Sequence, residues 1–312
     1  MKAPAPPRIT AEEAEDVLFP EAPSEEHRHA CASPDADART RCLIERRYAQ
    51  DPGARDLALA LYVRSGGVAG VERAQEMDGG FRGKLRLVPE LPIGPYRKHL
   101  DWVTRAAADF TWFFGEIGAR AGAPVQFRYE PVAWRFFRSV GRTTPSAYAQ
   151  GWTVAYNVSG SLLRSEIGAR ETLFHEIFHL NDGAKGWSRR VLGDLYDGIV
   201  ARCRPAEAGS KRGGGAQGAA AGETACFTPY APTATKVRGG TFYAFQADNG
   251  DAVHEYAAEI AMRYYVDTRK HLRGEKLAHA PFRCGPRENQ EAWGLVVKEF
   301  FGGVDLLPAC GG

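Results

Sequence analysis

Apolar positions along the 312-residue chain switch between helical and strand periods, with glycine and proline marking most of the changes. ARDLALALYVRSGG (54–67) carries apolar residues at helical spacing and ends on a glycine stop. VERAQEMDGGFRGKLRLVPE (71–90) reads as a hairpin turning at Asp78-Gly79-Gly80. The longest helical pattern is 95–122, where Leu100, Val103, Ala107, Phe110, Phe114 and Ile117 recur at three- and four-residue steps. Its aromatics Trp102, Trp112 and Phe113 are expected to pack in a core. Two strands are predicted next, VQFRYEPVAWRFFRSV (125–140), broken or bulged at Pro131, and GWTVAYNVSG (151–160).

The stretch after residue 182 is poorly patterned, with EAGSKRGGGAQGAAAGETA (207–225) at its centre, and about 205–225 is expected to be a mobile loop. NGDAVHEYAAEIAMRYYVDTRKHL (249–272) is a helix capped by Asp251 or Asn249, and a further amphipathic helix covers about 288–301. Residues 1–50 read as a flexible or loosely packed segment ahead of a single α+β domain at 51–312.

Between the second strand and the poorly patterned stretch stands TLFHEIFHLND (172–182). On a helix at about 100° per residue, His175 and His179 fall within about 40° of each other. Glu176 lies about 60° beyond His179. Leu173, Phe174, Ile177, Phe178 and Leu180 fill the opposite arc. One face is apolar, and the other presents two imidazoles and a carboxylate. Two histidines four apart project in parallel and can share one Zn²⁺ at about 2.0–2.1 Å. Glu176 points beside such an ion, where it can take a proton from activated water and deliver it to a leaving amine. The H-E-x-x-H pattern carries this mechanism.

Composition narrows the setting. Hydrophobic residues at 44% and charged residues at 25% are ordinary globular proportions. A net charge of +2, spread along the chain, gives no reason to expect a nucleic-acid partner. No stretch approaches the roughly 20 apolar residues of a membrane span. Asn157-Val158-Ser159 matches a glycosylation acceptor, a short and weak pattern. The six cysteines fall into sequence-local pairs, Cys31/Cys42, Cys203/Cys226 and Cys284/Cys310, with no CxxC knuckle. Local disulfides favour an oxidising, secreted or periplasmic setting. The Pro- and Glu-rich start has no apolar signal core, so an exported chain is expected to have its leader absent from this sequence.

A catalytic zinc needs a third protein ligand and an open position. The residues after the motif, LNDGAKGW, contain no histidine for an HExxHxxGxxH pattern, and no GTxD follows. A glutamate on the later helix is the remaining source. Glu255 and Glu259 stand four apart on one face, among Ala257, Ala258, Ile260, Ala261 and Met262. One can bind the metal while the other accepts a hydrogen bond from the far nitrogen of a ligating histidine.

HEIFH followed by HEYAAE resembles the gluzincins, zinc metallopeptidases with two histidines and a downstream glutamate. Glu255-Tyr256-Ala257-Ala258-Glu259 is similar to the E-aromatic-x-A-E helix of lethal-factor-like peptidases, which include the Pro-Pro endopeptidases. The resemblance covers about 170–268. It implies an α+β zincin-like fold with a small mixed sheet, Glu255 as the third ligand and Glu259 as the carboxylate that orients a ligand histidine. It also implies that a strand near the metal helix, TVAYNVSG or the one before it, binds an extended peptide substrate. In that group a tyrosine seven residues before the ligand glutamate stabilises the tetrahedral intermediate. Here Asp248 holds that position, and Tyr243 is the nearest upstream tyrosine. His254 is an outside candidate for a ligand or oxyanion role, and His271 and His279 for a thermolysin-like histidine.

The expected activity is zinc-dependent hydrolysis of peptide bonds in a protein or peptide substrate, as an endopeptidase. The competing readings are a zinc amidohydrolase on a non-peptide substrate, a toxin-like module with one protein target, and a zinc-binding module without catalysis. An intact Glu176 argues against the last, because a structural zinc has no use for that carboxylate.

Overall fold

Capping side chains set the ends of the first helices in the computed structural model, which describes residues 7–21, 29–78, 83–204, 216–237, 240–246 and 251–311. Thr10 opens α1 (Ala11–Leu18) with a capping box, its side chain accepting from the Glu13 N–H while Glu13 accepts from the Thr10 N–H. Asp35 caps α2 (Ala36–Arg47). Asp51 caps α3 (Pro52–Ser65), which ends at Gly66 with φ 67°, the left-handed conformation that glycine adopts without strain. Two compact units are formed, one from 1–115 and 128–180, the other from 116–127 and 181–312.

The first unit holds a mixed sheet. Its strands are β1 (Val68–Val71), β2 (Gln75–Asp78), β3 (Lys84–Pro89), β4 (Ala133–Ser139), β5 (Ala147–Gln150) and β6 (Thr153–Asn157). The order is β2-β3-β4-β6-β5, with β1 parallel to β4. β4 and β6 run parallel, whereas β5 runs antiparallel to β6. Central position explains the near-continuous burial of β4 and β6. α1 packs directly on β1 because position 70 is glycine: a Cβ there would stand 2.0 Å from the Val17 carbonyl oxygen.

The hairpin strands expected in 71–90 are β2 and β3, and the turn at 79–80 lies outside the described residues. Of 125–140, only 133–139 is strand, the chain before it passing through the cis Glu130–Pro131 bond. β5 has no counterpart in the sequence reading. It joins β6 through Gly151 and Trp152, both at positive φ (57° and 59°), the two-residue turn whose twist suits a hairpin. Trp152 is a bulky residue in that conformation, and the Arg128 guanidinium lies 3.6 Å from its ring centroid.

α4 (Arg97–Gly118) fulfils the longest helical pattern, and Leu100, Val103, Phe110, Phe113 and Ile117 are all buried. α5 (Glu166–Gly183) carries the HExxH residues. The second unit contains α6 (Trp187–Cys203), α7 (Ala216–Phe227), α8 (Ala252–Leu272) and α9 (Arg287–Phe300). Helix α6 corrects the reading of the stretch after the motif as poorly patterned: Trp187, Leu192, Tyr196, Ile199 and Cys203 form a buried stripe at three- to five-residue steps. Interspersed Gly193, Gly198 and charged residues weaken that signal in the sequence. Helix α7 likewise replaces the later part of the expected 205–225 loop, while 205–215 lies outside the described residues. Alanine's helix propensity outweighs the glycines there. α8 and α9 match the expected helices, and Tyr264 of α8 stacks on Phe301 at 4.0 Å.

All three sequence-local cysteine pairs are disulfides: Cys31–Cys42, Cys203–Cys226 and Cys284–Cys310. Among the described residues no helix is long and apolar enough to cross a membrane.

One core group gives the first unit a pH dependence. His99 is buried with its Nδ1 2.9 Å from the Tyr156 hydroxyl, and burial, aided by neighbouring Lys98, pulls its pKa down to about 4. Folded His99 thus refuses a proton that the unfolded chain accepts below about pH 6.5. Its contribution to stability is present above pH 6.5 and is lost as pH falls toward 4. Denaturant titrations of wild type and His99→Gln across this range should show the wild type losing roughly 3 kcal/mol more at most. Parallel curves would refute the assignment.

Candidate metal centre

Local chemistry fixes the start of α5. Ser165 precedes it, its Oγ accepting from the Gly168 N–H at 3.1 Å. Position 168 must be small, because a Cβ there would lie 2.4 Å from the Leu162 carbonyl oxygen. Beyond this cap, Leu173, Phe174, Ile177 and Phe178 are fully buried. Phe174 meets the aromatic ladder of α4, edge-on to Phe110 at 5.6 Å and parallel to Phe114 at 6.1 Å.

The opposite face is also covered, which the sequence did not require. His175 is 6% exposed, Glu176 8% and Asp182 1%, while His179 is half-buried. Ionisable groups placed this deep need specific partners. His175 and His179 aim their Nε2 atoms at one another, 2.9 Å apart. Two nitrogen ligands at about 2.0–2.1 Å from a tetrahedral ion stand roughly 3.3 Å apart, so the pair converges as a shared ion would require.

Glu255 lies in the first turn of α8, which Asp251 caps by accepting from the Val253 and His254 N–H groups. One ligand atom from each of His175, His179 and Glu255 lies within 4.8 Å of the others, so the three residues could hold one metal ion. Two imidazoles and one carboxylate are a donor set suited to a catalytic zinc with one position left for water.

Glu259, one turn further along α8, is 3% exposed and accepts a hydrogen bond from the Thr233 hydroxyl. Tyr243 opens a single 3-10 turn, Tyr243–Phe245, and is half-buried, its backbone N–H donating to Thr235 O at 2.9 Å. That turn packs on α8 through Phe245, whose ring lies 5.6 Å from Tyr256. Asp248 lies outside the described residues. His271 is next to last in α8 and His279 follows in a bend beyond it, 16 and 24 residues after Glu255 by subtraction of their numbers.

His254 is neither grouped with the metal-capable residues nor idle. Its Nδ1 lies 2.5 Å from Asp182 Oδ2. Burial by itself would raise the Asp182 pKa, but hydrogen bonds from His254 and Ser188 outweigh it and hold the carboxyl below its ordinary value. The sequence reading missed Asp182. The signal was there: 175, 179 and 182 are spaced i, i+4, i+7, which puts Asp182 on the histidine face.

No family model, curated protein or solved structure matches this chain.

The aromatic seat of α5 is testable. Phe174→Ala removes a ring that is 1% exposed and should lower unfolding free energy by about 3–5 kcal/mol in a denaturant titration. A loss below about 1 kcal/mol would show that α4 does not anchor this helix.

Proposed function

We propose that this chain is a zinc-dependent metallopeptidase of zincin-like fold, acting as an endopeptidase on protein or peptide substrates. The observation that carries this reading is the convergence of His175, His179 and Glu255 beside Glu176, a buried carboxylate on the same helix. His175, His179 and Glu255 hold the ion. Bound there, zinc supplies Lewis-acid polarisation of a carbonyl and lowers the pKa of water.

The remaining chemistry belongs to the protein. Glu176 accepts the proton of the attacking water and passes it to the amine nitrogen that leaves, acting first as base and then as acid. Its burial lets the carboxylate act at low local dielectric, where such interactions are strong. Glu259, held by Thr233, orients a ligand histidine by accepting its far ring N–H. Tyr243 is assigned the stabilisation of the oxyanion.

Substrate binding is reassigned within the sheet. β6 is bonded on both sides, to β4 and to β5, and β4 is flanked by β6 on one side and β1 and β3 on the other. Neither strand expected to receive the peptide has a free edge. Among the described residues β5 pairs with β6 alone, so Ala147–Gln150 is the strand on which an extended peptide is proposed to add. The three disulfides support a secreted or periplasmic setting.

Purified protein is expected to bind one zinc per chain and to cleave a peptide library in a reaction stopped by chelation. Glu176→Gln should keep the zinc and lose at least about 10²-fold in turnover. Turnover within a few-fold of wild type in that variant would sink the mechanism, and absence of zinc binding would sink the reading as a whole.

A further inference from the structure

Helix α8 begins at a point where three helices share one carboxylate. Asp182, in the last turn of α5, is 1% exposed. Its Oδ1 accepts from the Ser188 N–H at 2.8 Å, at the start of α6, and its Oδ2 takes His254 Nδ1 at 2.5 Å, in the first turn of α8. The carbonyl of Asp182 is engaged as well, accepting from Lys185 and Gly186 N–H at 2.9 and 2.7 Å. The aspartate therefore has little freedom to move, and His254 is fastened to a rigid point. His254 directly precedes Glu255.

A second fastening lies nearby. Arg189 of α6 donates to Asp251, the α8 cap, at 2.7 Å, but both side chains are about half exposed. Exposed pairs of this kind contribute little, whereas the charge-assisted hydrogen bond of His254, 26% exposed, to Asp182, 1% exposed, is better shielded from water and directional. The azimuth of the first turn of α8 is accordingly set by His254 on Asp182 more than by Arg189 on Asp251. Rotating that turn by one residue, about 100°, would carry Glu255 off the face it shares with Glu259.

We infer that Asp182 and His254 are positioning residues for Glu255: their hydrogen bond fixes the turn that presents this carboxylate, and so sets metal affinity without either side chain being a ligand. The inference rests on the reading of Glu255 as a ligand given above.

Zinc binding to the full-length protein, measured by competition with a chromophoric chelator, tests it without any activity assay. His254→Ala, which keeps a good helix former in the first turn, and Asp182→Asn should each weaken zinc binding by roughly 10–100-fold. His254→Asn, whose side-chain amide N–H can replace the Nδ1–H donor, should bind within about threefold of wild type, as should Arg189→Ala. Thermal melting of the zinc-free variants separates the inference from a merely structural role. A lowered midpoint with wild-type zinc affinity in His254→Ala overturns it. Glu255→Gln separates it from the functional reading: loss of affinity there without loss in His254→Ala defeats the positioning role alone. Wild-type affinity in Glu255→Gln, or no zinc binding by wild type, defeats both.

Discussion

A helix segment enclosed on all sides leaves little water for the polar groups it carries, and 172–182 of α5 is such a segment, buried throughout except at half-buried His179. Its apolar side is seated on the phenylalanines of α4. Its other side puts His175, Glu176 and Asp182 almost wholly out of water. An isolated charge at that depth would cost several kcal/mol, so the surrounding chain has to answer each group. Asp182 is answered by Ser188 and His254, and His175 and His179 meet through their Nε2 atoms. This need for satisfaction accounts for the turn of the chain after α5 directly into α6 and for the histidine in the first turn of α8.

Legibility in the sequence followed the strength of the local signal. α4, α5, α8 and α9 were readable because long apolar stripes and caps repeat over several turns, and the disulfides because each cysteine pair is close in sequence. α6 was not readable, since glycines and arginines dilute a stripe that only burial against other helices reveals. β5 was hidden for a different reason. Four residues, AYAQ, carry no alternation, and the strand exists because a Gly-Trp turn returns the chain onto β6. That omission displaced the expected substrate edge onto strands that prove to be internal.

The metal-capable residues show the same division. His175, Glu176 and His179 are local, so helical geometry alone placed them together. Glu255 stands 76 residues after His179 by subtraction of their numbers, and its identification needed a resemblance before it had coordinates to support it. Asp182 was overlooked because an aspartate near a helix end is ordinarily solvated or a cap; its place on the histidine face takes on meaning from its burial and its bond to His254.

The spacing along α5 divides the work of the proposed enzyme by angle. Positions i and i+4 could hold one metal ion, i+1 stands to their side as the proposed proton carrier, and i+7 ties the helix to the one that carries Glu255. Because all four sit on one rigid rod, an error at one of them cannot be absorbed by the others. A site with this geometry has its weakest element where the chain is least local, at Glu255, and the part-buried hydrogen bond of His254 to Asp182 is placed next to that residue. Rigidity is thus concentrated where sequence distance would otherwise allow the most play.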